Sequence, residues 1–115
     1  MADIDAKKRL LAMVEAHTAL FNSCVRSGDW TPFMDTFADD ARLTITNLPI
    51  PPVRGRPAIA AAYARRPPTE AMSLTDMESV DDDTVQVSFV WESGREGTML
   101  VRWQDGLVSR VDFSM

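Results

Sequence analysis

The sequence is poor in the residues that build covalent and metal-centred chemistry. Of 115 residues, only Cys24 is a cysteine and only His17 a histidine. A lone cysteine excludes an intramolecular disulfide and any metal site built on cysteines. A transition-metal centre would have to take most of its ligands from carboxylates. The chain therefore reads as metal-free, with no cofactor expected. Long apolar runs are missing too, none approaching the roughly 20 residues that cross a bilayer. The opening Met1-Ala2-Asp3-Ile4-Asp5 lacks the basic-then-apolar order of a secretory signal, so a cytoplasmic location is expected. Basic clusters are equally scarce: 12 Lys and Arg stand against 17 Asp and Glu, a net charge of −5. The densest group, Lys7-Lys8-Arg9, is offset by Asp3 and Asp5, which argues against a nucleic-acid or anionic-membrane partner.

What is present is an ordinary globular composition, 45% apolar and 25% charged. No repeat, linker or low-complexity tail interrupts it, so residues 1–115 are read as one domain. From about Asp5 to Ser27, Leu10, Met13, Val14, His17, Leu20, Phe21, Cys24 and Val25 recur in steps of three and four. That spacing predicts a helix with one buried face, capped by Asp3 or Asp5 and stopped at Gly28. Gly28-Asp29 should open a second, shorter helix that buries Phe33, Met34 and Phe37, with Pro32 in its first turn. Asp39-Asp40 reads as a turn into a strand from Leu43 to Asn47. On that strand Leu43, Ile45 and Asn47 would share one face and Thr44 and Thr46 the other. The Pro49-Ile50-Pro51-Pro52 stretch cannot continue an inner strand. Pro57 and the alanine-rich run to Arg65 predict a third helix, ended by Pro67-Pro68.

After Leu74 the period changes to two. Asp81-Asp82-Asp83, Ser93-Gly94 and Asp105-Gly106 mark turns between strands. The acidic triplet is too tight for a calcium loop. Val85, Val87, Phe89 and Trp91 share a face, as do Met99, Val101 and Trp103, and Leu107, Val111 and Phe113. An apolar sheet face must be covered, and the three helices are the candidates, so the fold class is α+β.

Gly28-Asp29-Trp30, Phe37-Ala38-Asp39-Asp40-Ala41, Gly55-Arg56-Pro57-Ala58-Ile59 and Asp105-Gly106-Leu107-Val108-Ser109-Arg110-Val111 occur in that order. Together they resemble the nuclear transport factor 2-like superfamily, including its SnoaL-like and ketosteroid isomerase-like branches. The resemblance covers nearly the whole chain. It implies a cone: three helices packed on a curved, mainly antiparallel sheet around an apolar pocket, often as a homodimer. Its members include isomerases, cyclases, dehydratases, epoxide hydrolases and proteins that only bind, so the residues must decide. Ketosteroid isomerases use an Asp base with a Tyr and a protonated Asp as oxyanion hole. The resemblance places Phe21, Ile45 and Met99 at those positions, and none exchanges a proton. Tyr63 falls where those isomerases carry a supporting Tyr. Asn47-Leu48-Pro49-Ile50-Pro51-Pro52 is similar to a segment of limonene epoxide hydrolase in which the Asn holds the attacking water. Ile45 then replaces that enzyme's Tyr, and Phe89 and Trp91 its Arg–Asp pair. Its last-strand Asp corresponds to either Asp112 or Phe113.

Four residues are candidates for chemistry. His17, on the predicted core face, is either a general acid–base or a packed ring that hydrogen-bonds locally. Asn47 either contacts ligand or water, or bonds to the proline-rich loop. Tyr63 either points its hydroxyl inward or lies with a wet tip. Asp112 is a pocket acid only if a bulge reverses the alternation; otherwise it pairs with Arg110 or Arg102 outside. Cys24 reads as a small buried hydrophobe. The pocket wall is expected from Phe21, Ile45, Phe89, Trp91, Met99, Val101 and Phe113. The expected ligand is a small hydrophobic molecule, steroid-, terpenoid- or polyketide-like. Turnover of an isomerase, cyclase or dehydratase type, with His17 shuttling a proton, is the leading reading. A non-catalytic binding or assembly domain is the alternative, and epoxide hydrolysis through Asn47 and Asp112 a third. Two copies would meet on the sheet face carrying Arg102, Arg110, Asp112, Val90, Leu100 and Val108.

Overall fold

Alternating apolar residues along the late strands demand a covered sheet, and a computed structural model shows how the cover is built. It describes residues 2–47, 49 and 51–114. Helix α1 (Ala2–Ser27) and the single turn α2 (Thr31–Met34) precede strand β1 (Phe37–Thr46). A two-residue strand β2 (Val53–Arg54) and helix α3 (Arg56–Arg65) follow. Strands β3 (Met72–Asp81), β4 (Thr84–Trp91), β5 (Glu96–Gln104) and β6 (Leu107–Ser114) complete the chain. The described strands form one six-stranded sheet in the order β2-β1-β6-β5-β4-β3. Every pairing is antiparallel except β1 with β6.

Helix α1 buries Leu10, Val14, His17, Phe21 and Cys24, the stripe its spacing predicts. Gly28 ends it with φ 79°, its N–H donating to the Cys24 carbonyl. Asp3 and Asp5 lie inside the helix, which begins at Ala2, so neither is the cap the sequence suggested. The Asp29 carboxylate instead accepts the Thr31 N–H at the entrance to α2. Asn22 fixes α1 against the sheet edge. Its amide donates to the Met72 carbonyl and accepts the Met72 N–H, both at 2.9 Å, as a neighbouring strand would.

Two expectations about strands need correction. Asp39-Asp40 is no turn but part of β1, where the pairing with β6 slips between Phe37 and Arg42. Asp39 reaches across to Arg56, 2.7 Å away, beside the Gly55 turn (φ 90°) whose N–H bonds the Ala41 carbonyl. On β6, Leu107 is exposed and Val108 fully buried, the reverse of the predicted faces. A bulge between Arg102 and Trp103 in the β5–β6 register sets Val108 opposite Trp103. Val108 therefore leaves the outer face on which two copies were expected to meet. Further slips on β3 add to the bending of the sheet.

The concave face carries Leu43, Val111, Val101 and Val85 in one cross-strand row, and Ile45, Phe113, Met99, Val87 and Met77 in the next. One ring joins the helices to each other. Phe33 lies 4.7 Å from His17, 5.6 Å from Phe21 and Trp30, 5.2 Å from Phe37 and 5.9 Å from Tyr63, centroid to centroid. Truncating it leaves a cavity at the junction of every helix. Phe33→Ala should cost about 3–5 kcal/mol in urea unfolding, whereas Val80→Ala, on a side chain 56% exposed, should stay within about 0.5 kcal/mol.

Candidate functional site

Among the described residues, a larger and a smaller cavity lie between the helices and the concave face. The larger, about 920 Å³ and open at one end, is bounded by α3, β1, β2 and the proline-rich connection between the two strands. Its volume is near the upper end of small-molecule sites, about 300–1,000 Å³. Leu43, Ile45 and Val53 form one wall, Ala58 and Ala62 of α3 a second, and Trp91 and Phe113 a third. Pro49, Pro51, Pro52 and Pro68 also line it. The short alanine side chains keep α3 from filling the space, which is why a run chosen for helix propensity leaves room for a ligand.

The smaller void, about 10 Å³, lies deeper, among His17, Thr18, Phe33, Phe37, Met72, Met99 and Val111. Phe21, Tyr63 and Phe113 line both spaces and form the partition between them. His17 stands behind this partition, ringed by Phe33, Phe37 and Trp103. Burial alone lowers its pKa to about 4, so the ring is neutral at pH 7. Its Nδ1 is buried and has no partner among the described residues. Burial also raises the Tyr63 pKa, which keeps the phenol protonated and able to donate.

The structure thus brings His17 and Tyr63 together around the inner void, but not Asn47 or Asp112. Asn47 follows β1 as an exposed residue with φ 74°, a conformation asparagine tolerates, and does not line either cavity. Leu48 and Ile50, in the segment similar to the epoxide hydrolase, lie outside the described residues. Asp112 pairs with Thr44 and, at 2.7 Å, with Arg110 on the outer sheet face. The bulge in β6 precedes Arg110 and so leaves the Asp112 alternation unchanged. Of the expected wall, Phe21, Ile45, Trp91 and Phe113 line the large cavity and Met99 the inner void. Phe89 and Val101 are core side chains instead, 1% and 0% exposed, and touch neither space.

Sequence reading missed several wall residues. Arg54, Arg65 and Arg66 line the large cavity, and none was singled out. Their signal was available, since a helix that ends on two arginines beside a proline-bounded opening offers cations to it. Trp91 also carries a buried indole N–H with no partner among the described residues. Cys24 is buried, and burial raises its thiol pKa, consistent with a packing role. Among the described residues, no three His, Cys, Asp or Glu side chains converge to hold a metal ion. No helix among them is long and apolar enough to cross a membrane.

The family model of the SnoaL-like domain matches residues 14–111. No curated protein sequence matches the chain significantly. Among solved structures, the chain is similar to a candidate polyketide cyclase of Xanthomonas campestris pv. campestris, at 20% identity and TM-score 0.68, over 96% of this chain and 92% of that one. A Mycobacterium tuberculosis protein solved in complex with estradiol-17β-hemisuccinate is similar at 14% identity and TM-score 0.70, over 88% and 92% of the two chains. A computationally designed 17-OHP binder is similar at 14% identity and TM-score 0.71, over 88% of each. At these identities the likeness shows the shared nuclear transport factor 2-like fold.

The buried ring makes stability depend on acid. The unfolded chain protonates His17 near pH 6.5, whereas the folded chain resists until about 4. Stability held by the neutral ring is therefore complete above 6.5 and is lost as pH falls from 6.5 to about 4, by about 3 kcal/mol. Urea unfolding between pH 7 and 4 should show this loss in the wild type and lack it in His17→Leu. Equal acid sensitivity in both would place the ring in contact with water.

Proposed function

Because the chain belongs to the SnoaL-like domain family, we propose that its function is to bind one small, mainly apolar molecule in the large cavity. The observation that carries this reading is the composition of the wall. Among the described residues that line it, none is Asp, Glu, His, Cys or Ser. Apolar side chains supply the area, and Tyr63 adds a protonated hydroxyl that can donate to a carbonyl or hydroxyl. Donors without a base suit recognition rather than proton abstraction. Steroid-, terpenoid- or polyketide-like molecules have the right size and polarity. The steroid ester held by the Mycobacterium tuberculosis protein and the designed 17-OHP binder support a ligand of this class in the shared fold.

Turnover of an isomerase, cyclase or dehydratase type is a second reading, favoured by one feature. His17 and Tyr63 line the same inner void, with the Phe21 and Phe113 rings between His17 and the cavity. If a ligand pushes those rings aside, neutral His17 can accept a proton while Tyr63 donates to the adjacent carbonyl. Epoxide opening lacks this support, because neither Asn47 nor Asp112 lines the cavity.

Calorimetric titration with estradiol-17β-hemisuccinate and with neutral steroid and terpenoid ketones checks both readings. Saturable binding should weaken at least tenfold, about 1.4 kcal/mol, in Ala62→Trp, which fills the cavity. No binding by any of these ligands would refute the proposal. Ligand recovered unchanged supports recognition alone, whereas a β,γ-enone converted by the wild type but not by His17→Gln would establish turnover.

A further inference from the structure

The apolar wall ends in a cationic mouth. Arg54 on β2, with Arg65 and Arg66 at the end of α3, line the large cavity, and no carboxylate is among the described residues beside them. This concentration of one sign occurs on a chain whose net charge is −5. Four arginines away from the cavity, Arg56, Arg95, Arg102 and Arg110, each pair with a carboxylate. Arg54, Arg65 and Arg66 form no ion pair among the described residues. Arg42 is registered directly opposite Arg54 but does not line the cavity. The dipole at the end of α3 accounts for a cation at Arg65. It does not account for Arg54, which arrives from a strand.

We propose that the ligand is an amphipathic anion whose apolar body fills the cavity and whose carboxylate, sulfate or phosphate monoester rests between Arg54, Arg65 and Arg66. The planar guanidinium presents paired donors matched to such oxyanions. The two-part wall also assigns an orientation: the anion stays at the mouth, and the uncharged end points toward Tyr63 and the ring partition. This inference rests on the binding reading above and specifies the class of molecule bound. A phospholipid headgroup carries the same chemistry, but the overall negative charge of the chain opposes docking on an anionic bilayer, which favours a soluble monomeric ligand.

The test compares estradiol-17β-hemisuccinate with its methyl ester, on the wild type and on the triple variant Arg54→Gln, Arg65→Gln, Arg66→Gln. The wild type should bind the acid about tenfold more tightly than the ester, the scale of a few exposed ion pairs, with the gap closing at high salt. The triple variant should bind both as the wild type binds the ester, with an unchanged melting temperature. Equal wild-type affinity for acid and ester would overturn the inference while leaving the cavity reading intact. Failure of both ligands to bind the wild type would overturn the two together. Pelleting of the wild type with phosphatidylserine vesicles, lost in the triple variant, would assign the arginines to a membrane surface and refute a soluble ligand.

Discussion

The ring of Phe33 is where the helical layer becomes a single body. The short helix α2 spans only Thr31 to Met34, far below the length at which a helix persists alone. It holds because its Phe33 ring, 2% exposed, packs at once against α1, α3 and the start of β1. Most of these contacts are tilted or edge-to-face, the geometries aromatic quadrupoles favour. The state of His17 follows from the same packing. Phe33 covers one side of the imidazole and keeps it dry, and a dry imidazole remains neutral.

The sheet sets the shape that this layer must cover. Register slips in β1, β3 and between β5 and β6 add residues to one strand of each pair and bend it. The parallel pairing of β1 with β6 brings the first strand next to the last, setting Leu43 beside Val111 and Ile45 beside Phe113. A bent sheet diverges from straight helices. Large rings on α1 and α2 fill the gap at the deep end. At the other end α3 offers Ala58 and Ala62, and the gap remains open as the large cavity.

Chemical capacity is consequently divided in two. Tyr63 and three arginines line the large cavity, while the one imidazole sits behind Phe21, Tyr63 and Phe113. A ligand held at the mouth meets hydrogen-bond donors and positive charge but no base. Proton transfer needs contact or one bridging water, so movement of the partition separates recognition from turnover. Phe21 and Met99 are part of the packing that closes off the deep end.

Helix α1, its stop at Gly28, helix α3, the hairpin strands and the α+β class were legible from the sequence, because each rests on local rules: period, turn chemistry and proline. The inner positions of Val85, Val87, Met99 and Val111 followed from alternation for the same reason. Alternation failed at Leu107 and Val108, where a bulge adds one residue without altering composition. The turn reading failed at Asp39-Asp40, which lie within β1 where its pairing with β6 is interrupted and Asp39 pairs with Arg56. The site was legible only in part. Phe21, Ile45, Trp91 and Phe113 line the large cavity, whereas Phe89 and Val101 are covered. Which members of one apolar face are roofed by a helix and which face a cavity depends on where the helices end. The sequence alone thus determined which residues avoid water. Only the tertiary structure decided which of them meet each other and which face a ligand, because that depends on distances between segments far apart in the chain.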